Sequence, residues 1–365
     1  MAIVALGVVA AVAAGGFGVW HYLQSKSKSA TPATVKVGVM MAFTGGSSSM
    51  GYGEMKGIQL AQKQLGADNI ELVQMDSQCD AGVSPDAMRR LVQQKVVAVI
   101  GDGCSSASVA ALPIANENKI PMISPSASSP KLSIADDYFF RVVPPDNFQG
   151  AFLAQSVWDR GIKTAAVFYT DEPYGTAMNT VFTQKFTSLG GKVLTSVGAK
   201  SDVIALQSQI DTIKASKPGA VVFVANSVTS GAAAIKLARQ SGMAVPLFGG
   251  DGLYDSNLVS YAGTAAEGLT ITSFPTGSAS FKQSLLSAYG GEQLYAAAEA
   301  YDAFQAINIA VKNGATTGAD IKAYLPKESF DGVTAHIKFD QNGEISDPSY
   351  KYALLTVKNG QFVAQ

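Results

Sequence analysis

The sequence predicts an α/β protein made of two doubly wound parallel-sheet halves. Short apolar runs rich in valine and isoleucine alternate with amphipathic helical segments, which is typical of a parallel sheet covered on both faces. This alternation occurs twice and is interrupted over residues 136–150, where Pro144 and Pro145 stand. Because ligands bind outside the carboxyl ends of strands in such sheets, two facing halves predict a shared cleft that closes by a hinge.

The predicted elements follow in chain order. In the first half, strands are predicted over 35–40, 70–75, 96–100 and 121–124, with helices over 53–65, 84–94 and 106–116. In the second half, strands are predicted over 164–169, 192–197, 220–225, 247–249 and 269–273, with helices over 175–189, 203–215 and 230–241. A long helical stretch over 281–312 and a turn sequence at 340–343 complete the prediction.

The composition excludes several classes of function. The 365 residues carry a net charge of −1 and only 15% charged residues, so no basic excess exists for nucleic acid. With only two cysteines a thiolate zinc site is not expected. The chain has two histidines, His21 and His336, and His336 is interpreted as structural. The motifs HExxH, GxSxG, GxxxxGK[ST] and GxGxxG are missing from the sequence. The sequence therefore predicts a protein that is not an enzyme and uses no metal or cofactor.

The N-terminus carries an unbroken apolar run, Ala2 to Trp20. It is longer than the usual core of a signal peptide and close to the length that spans a bilayer. We predict that residues 1–24 are a signal peptide or membrane anchor and that residues 25–34 are a linker. No lysine or arginine precedes the run and Lys26 and Lys28 follow it, which would place those lysines in the cytoplasm. The cysteine pattern favours export instead.

Cys79 and Cys104 follow the second and third predicted strands. Adjacent parallel strands bring such ends close together, as a disulfide requires. The bridge would close a loop of about 25 residues, which corresponds to roughly 3 kcal/mol. Together with the apolar leader, it predicts a periplasmic or extracytoplasmic location.

Polar residues at the strand ends are candidates for ligand binding. Ser105 and Ser106 begin a predicted helix, where free N–H groups suit a carboxylate, although simple helix capping is the alternative. The serine-rich loop 124–130 follows the next strand. Asp251 follows a strand of the second half and could face a ligand ammonium or cap a helix. Tyr174 could pack on a ligand or only cover the hinge.

These features resemble the type I periplasmic solute-binding proteins, specifically the branched-chain amino acid (leucine, isoleucine, valine) binding group of ABC transporters. The resemblance covers about residues 35–364. The matching stretches are 37–45 with Gly51 and 57–61, Asp76 with Cys79, 100–101 with 104–106, 120–125, Arg141, 174–175 and 301–303.

The resemblance implies specific roles for the candidate residues. Ser105 would bind the α-carboxylate of the ligand, with backbone and hydroxyl contacts from Ala127 and Ser128. Asp251 would bind the ammonium, in a place where several relatives carry glutamate.

Further roles concern the edges of the site. Tyr174 would close over the ligand from the second lobe, and Met50 stands where an aromatic residue commonly shields it. Another tyrosine is expected near Tyr295, although its spacing to Tyr301 is one residue longer than usual. The loop 225–227 lacks the aromatic residues of leucine-binding relatives, which predicts an altered side-chain pocket.

The resemblance also implies a three-strand hinge, with crossovers near 145–147, 274–276 and 347–350. The first lobe would comprise 35–146 and 276–349, and the second 147–275 and the C-terminal strands 350–365. The implied function is a monomeric receptor that delivers an amino acid or related polar solute to the membrane permease of an ABC importer. Two alternatives remain, a membrane-anchored sensor or regulator and a receptor for an amide, urea or an aromatic acid.

Overall fold

The computed structural model describes residues 34–365 except 202, 291–293 and 346–349. The predicted leader 1–24, almost all of the predicted linker 25–34 and most of the third predicted crossover lie outside the described residues. Within the described part of the chain, no helix is long and apolar enough to cross a membrane.

The first sheet has five parallel strands in the order β2-β1-β3-β4-β5. Its strands are β1 (Val35–Met41), β2 (Ile70–Asp76), β3 (Ala98–Gly101), β4 (Met122–Ser124) and β5 (Phe139–Arg141). Every residue of β3 and β4 is buried, as expected for strands covered on both faces. This sheet and the helices packed on it are called the first lobe.

The second sheet has seven strands in the order β14-β13-β10-β9-β8-β6-β7. Its strands are β6 (Thr164–Thr170), β7 (Lys192–Ala199), β8 (Ala220–Val224), β9 (Leu247–Gly249), β10 (Thr270–Ser273), β13 (Ala353–Lys358) and β14 (Gln361–Ala364). Strands β6 to β10 pair in parallel, and the C-terminal hairpin β13–β14 joins β10 antiparallel. This sheet defines the second lobe. A separate antiparallel pair consists of β11 (Ser329–Asp331) and β12 (His336–Lys338).

Helices cover both faces of the two sheets. They are α1 (Ser48–Gln64), α2 (Ser84–Gln93), α3 (Ser105–Glu117), α4 (Asp146–Asp159), α5 (Pro173–Ser188), α6 (Gln207–Ala215), α7 (Val228–Gln240), α8 (Ser256–Ala262), α9 (Ala279–Tyr289), α10 (Ala297–Lys312) and α11 (Gly318–Tyr324). In the first lobe, α1 and α10 pack together over one face of the sheet. Gly57 allows their close approach, because a Cβ there would overlap the carbonyl oxygen of Ala297.

The structure differs from the predicted elements at four places, of which one is the start of α6 at Gln207, four residues after the predicted start. Helix α1 begins five residues before the predicted start, at Ser48. The predicted helix over 281–312 is two helices, because Gly290 adopts a left-handed conformation (φ 83°) that ends α9. The interrupted segment 136–150 contains β5 and the start of α4 directly after Pro145, since a three-residue strand is too short to show periodicity.

Candidate functional site

A small cavity lies between the lobes, at the carboxyl ends of strands from both sheets. Its lining residues are Gly103, Ser105, Ser126, Tyr174, Asn226, Asp251, Gly252 and Tyr295. The volume of this cavity is about 10 Å³, which is close to the minimum that one water molecule needs. The lobes are therefore closed on each other in this structure.

Asp251 is the acidic residue of this cavity. It begins a 3₁₀ turn directly after β9 and is buried. The phenol of Tyr174 donates to its Oδ1 at 2.8 Å, and the phenol of Tyr295 donates to its Oδ2 at 2.7 Å. Burial raises the pKa of the Asp251 carboxyl, against the hydrogen bonds that lower it. Helix α8 is capped by Asp255 instead, which leaves Asp251 facing the cavity.

Tyr174 is positioned by the start of helix α5. The carboxylate of Glu172 accepts from the backbone N–H groups of Tyr174 at 2.9 Å and Gly175 at 2.8 Å, which caps the helix and orients its first turn. Gly250 leaves room for the phenol, because a Cβ at that position would collide with its oxygen. Burial raises the pKa of Tyr174 well above its ordinary value, so the phenol stays a hydrogen-bond donor.

Ser105 and Ser106 stand together at the start of α3 and have different surroundings. Ser105 lines the cavity, and its hydroxyl accepts from the backbone N–H of Ser129 at 3.1 Å. The hydroxyl of Ser106 donates to the carbonyl of Cys79 at 3.1 Å, on the disulfide loop. The start of α3 presents unpaired N–H groups and partial positive charge, which suit an anionic group.

Glu54 lies against the cavity wall and was not predicted from the sequence. Its Oε1 accepts from the hydroxyl of Ser126 at 2.5 Å, and that hydroxyl also lies 2.9 Å from the carbonyl of Gly103. Burial raises the pKa of Glu54 to about 8, so the carboxyl is mostly neutral at pH 7. The available signal was a glutamate on the glycine-lined, otherwise apolar face of α1.

The remaining predicted residues lie near the cavity without lining it. Met50 is buried in an apolar cluster with Tyr295, Cys104 and Phe274. Ala127 is buried, and its carbonyl accepts from the Arg141 guanidinium at 3.3 Å. Ser128 is buried, and its hydroxyl lies beside the carboxyl of Asp146.

Direct hydrogen bonds join the two lobes around the cavity. They are Tyr295 to Asp251 at 2.7 Å, the Ser47 hydroxyl to the Asn226 carbonyl at 3.0 Å, the Asn226 amide to Cys79 Sγ at 3.1 Å and the Ser129 hydroxyl to the Pro173 carbonyl at 3.2 Å. These contacts require the closed arrangement, because each has one partner in each lobe.

The predicted disulfide between Cys79 and Cys104 is present, with Cα atoms 5.4 Å apart. It ties the loop after β2 to the residue before α3 and so supports the first-lobe wall of the cavity. Across the described residues, no group of three or more histidine, cysteine, aspartate or glutamate side chains is placed to hold a metal ion.

The comparisons with known proteins agree with this architecture. A family model described as periplasmic binding protein matches residues 34–361. A leucine-, isoleucine-, valine-, threonine- and alanine-binding protein from Pseudomonas aeruginosa is 24% identical over 332 residues, covering 86% of this chain and 88% of that protein.

Solved structures show the same fold. The leucine binding protein LivK from Thermotoga maritima is 29% identical with a TM-score of 0.84, covering 91% of this chain and 97% of that one. A solute binding protein of an ABC transporter from R. palustris, in complex with benzoate, is 22% identical with a TM-score of 0.82 and coverage of 91% and 95%, which shows the fold alone.

These relatives are solute-binding proteins, which confirms the prediction that the chain is not an enzyme. The family model spans most of the chain, and the sheets have the two-lobed α/β arrangement predicted from the sequence. The protein therefore belongs to the periplasmic binding protein family, and within that family it is similar to the branched-chain amino acid binding proteins.

Proposed function

We propose that the protein captures an amino acid or a closely related polar solute in the cleft between its lobes and delivers it to the membrane permease of an ABC importer. One observation carries this proposal. A buried carboxylate of the second lobe, Asp251, and a helix start of the first lobe, at Ser105, line the same cavity. These two groups complement the ammonium and the carboxylate of an α-amino acid.

The ammonium side of the proposal rests on the surroundings of Asp251. Its carboxyl is buried among phenolic groups and near the carboxyl of Asp146, and none of the described residues that line the cavity is basic, so ionisation is costly without a ligand. A ligand ammonium would supply the missing positive charge. The phenol of Tyr174 would hold the carboxylate in place while it makes that contact.

The carboxylate side of the proposal rests on α3 and the neighbouring serine loop. The helix start at Ser105 favours an anion, and Ser126 of the serine loop lines the same cavity. Ser128 lies off the cavity, with its hydroxyl beside the Asp146 carboxyl. In this proposal Ser106 and Ala127 shape the wall behind these groups, and Met50 shields the first-lobe side of the ligand.

Closure of the lobes would couple binding to delivery. The closed cavity has room for about one water molecule, so a solute enters while the lobes are apart and the lobes then close around it. The solute stabilises the closed form through contacts with both lobes, and the permease recognises that form. In this proposal the receptor is a monomer outside the cytoplasm with its hinge at the predicted crossovers. The relatives named as binding proteins support its solute-binding role.

The experiment is calorimetric binding of amino acids, amides, urea and aromatic acids to wild type and three variants. Asp251→Asn and Ser105→Ala are each expected to weaken amino acid binding more than tenfold, because each leaves a ligand charge with fewer partners. Asp211→Asn, an exposed residue of α6, is the matched control. Unchanged affinity in both cavity variants would reject the proposed site.

The same panel separates the alternatives. A receptor for urea, an amide or an aromatic acid would bind those solutes in preference to amino acids, because none of them carries the ammonium that Asp251 is proposed to hold. A membrane-anchored sensor would retain the N-terminal apolar run, which N-terminal sequencing of the mature protein detects.

A further inference from the structure

A second cavity, of about 360 Å³, lies beside the cleft site. Its apolar wall includes Phe274, Phe281, Leu285, Leu294, Leu355 and Phe362. These residues come from the end of β10, from α9 and its following loop, and from the C-terminal hairpin. The volume falls within the range of small-molecule sites, whereas the closed cleft cavity holds about one water molecule.

Glu299 is a buried acid in the wall of this second cavity. The side chain is 1% exposed, and its Oε1 has no hydrogen-bond partner among the described residues. Burial and the nearby carboxyls of Asp302, Glu54 and Asp251 raise the pKa of Glu299 well above its ordinary value. A buried acceptor without a partner is costly, so a ligand N–H group would be favourable there.

Lys282 is the basic residue in the lining of the second cavity, and it is exposed. At an exposed position its charge is screened by solvent and salt. It therefore does not supply a partner to the buried Glu299 carboxyl in the way that a desolvated cation would.

Tyr295 stands between the two cavities, because it lines both. Its phenol donates to Asp251 Oδ2 at 2.7 Å on the cleft side. Its ring packs at a tilt against Phe274, with centroids 6.2 Å apart. A rotation of this one side chain would join the ammonium site at Asp251 to the larger space.

We infer that the second cavity receives the side chain of the amino acid whose ammonium is held by Asp251, and that Tyr295 and Glu299 select its length and its end group. The inference rests on the proposed function of the cleft. The favoured side chain has an apolar stem, which packs on the phenylalanine and leucine walls, and ends in an N–H donor, which Glu299 accepts. Lysine and arginine have this chemistry.

The experiment is calorimetric titration of the full chain with lysine, norleucine and alanine. Norleucine has the length of lysine without the terminal ammonium, and alanine has only the α-amino and α-carboxyl groups. Lysine is expected to bind at least tenfold tighter than norleucine. Glu299→Gln should remove that difference and leave the affinity for alanine within about twofold of wild type. Glu328→Gln, which changes an exposed acid, should leave the affinities for all three ligands at their wild-type values.

A cavity-filling variant tests, independently of charge, whether the ligand side chain occupies the second cavity. Leu285→Trp should weaken lysine and norleucine at least tenfold and spare alanine, because it occupies the second cavity alone. Thermal unfolding of each variant verifies that it is folded.

The outcomes separate this inference from the proposal for the cleft. Norleucine binding as tightly as lysine, an equal loss for all three ligands on Glu299→Gln, or no effect of Leu285→Trp would each overturn the inference while amino acid binding stands. Failure of every amino acid to bind would overturn the cleft proposal and the inference with it.

Discussion

Replacement of Glu54 by glutamine should make the protein more stable at alkaline pH. Burial raises the pKa of this carboxyl from 4.5 to about 8 in the folded protein. A pKa displaced by that amount corresponds to a free energy of about 5 kcal/mol between the two protonation states. Glutamine has nearly the same shape and can keep the hydrogen bond to Ser126, but it cannot ionise.

The sign of the pH dependence follows from the raised pKa. Between pH 4.5 and about 8 the folded protein keeps a proton on Glu54 that the unfolded chain has released. The folded state then binds more protons than the unfolded state, so the free energy of unfolding decreases as pH rises through this window. Between pH 5 and pH 9 the contribution of Glu54 is a loss of about 4 kcal/mol.

The assay is urea unfolding of wild type, Glu54→Gln and the exposed control Glu117→Gln at pH 5, 7 and 9. Asp102 and Glu172, whose pKa values are raised to about 7, also make the free energy of unfolding decrease with pH in all three proteins. The Glu54 effect is therefore the difference between variant and wild type, which should grow with pH and favour the variant. Parallel curves of unfolding free energy against pH would refute the argument.

Three further predictions concern stability. Replacing Cys79 and Cys104 by alanine should lower the free energy of unfolding by about 3 kcal/mol, measured by denaturant titration; an unchanged midpoint would contradict it. Gly57→Ala should cost about 1–3 kcal/mol by separating α1 from α10, and a melting temperature equal to wild type would count against that packing. Arg141→Met should lower the free energy of unfolding by about 3–5 kcal/mol, because Glu344, which is paired with Arg141 at 2.6 Å, would lose its partner. A decrease no larger than the one caused by replacing an exposed arginine with methionine would contradict this.

The sequence determined the features that depend on local pattern. Alternation of apolar runs and amphipathic segments predicted β1 to β4 and β6 to β10 to within about two residues at each end, because burial on both faces selects continuous apolar runs. It missed the three-residue strand β5, and only the family resemblance implied the C-terminal strands. The positions of Cys79 and Cys104 after neighbouring strands predicted their disulfide. The same reasoning placed Ser105, Tyr174 and Asp251 at strand ends, and all three line the cleft cavity.

Tertiary structure alone decided which other side chains reach the cavity and how far it is open. Glu54 sits within an otherwise regular helix, so its burial against Gly103 and Ser126 depends on packing between elements that lie far apart in the chain. The bond between Tyr295 and Asp251 exists only because the lobes are closed. Periodicity records which face of an element is buried, whereas the distance between two lobes depends on hinge geometry that no local pattern encodes.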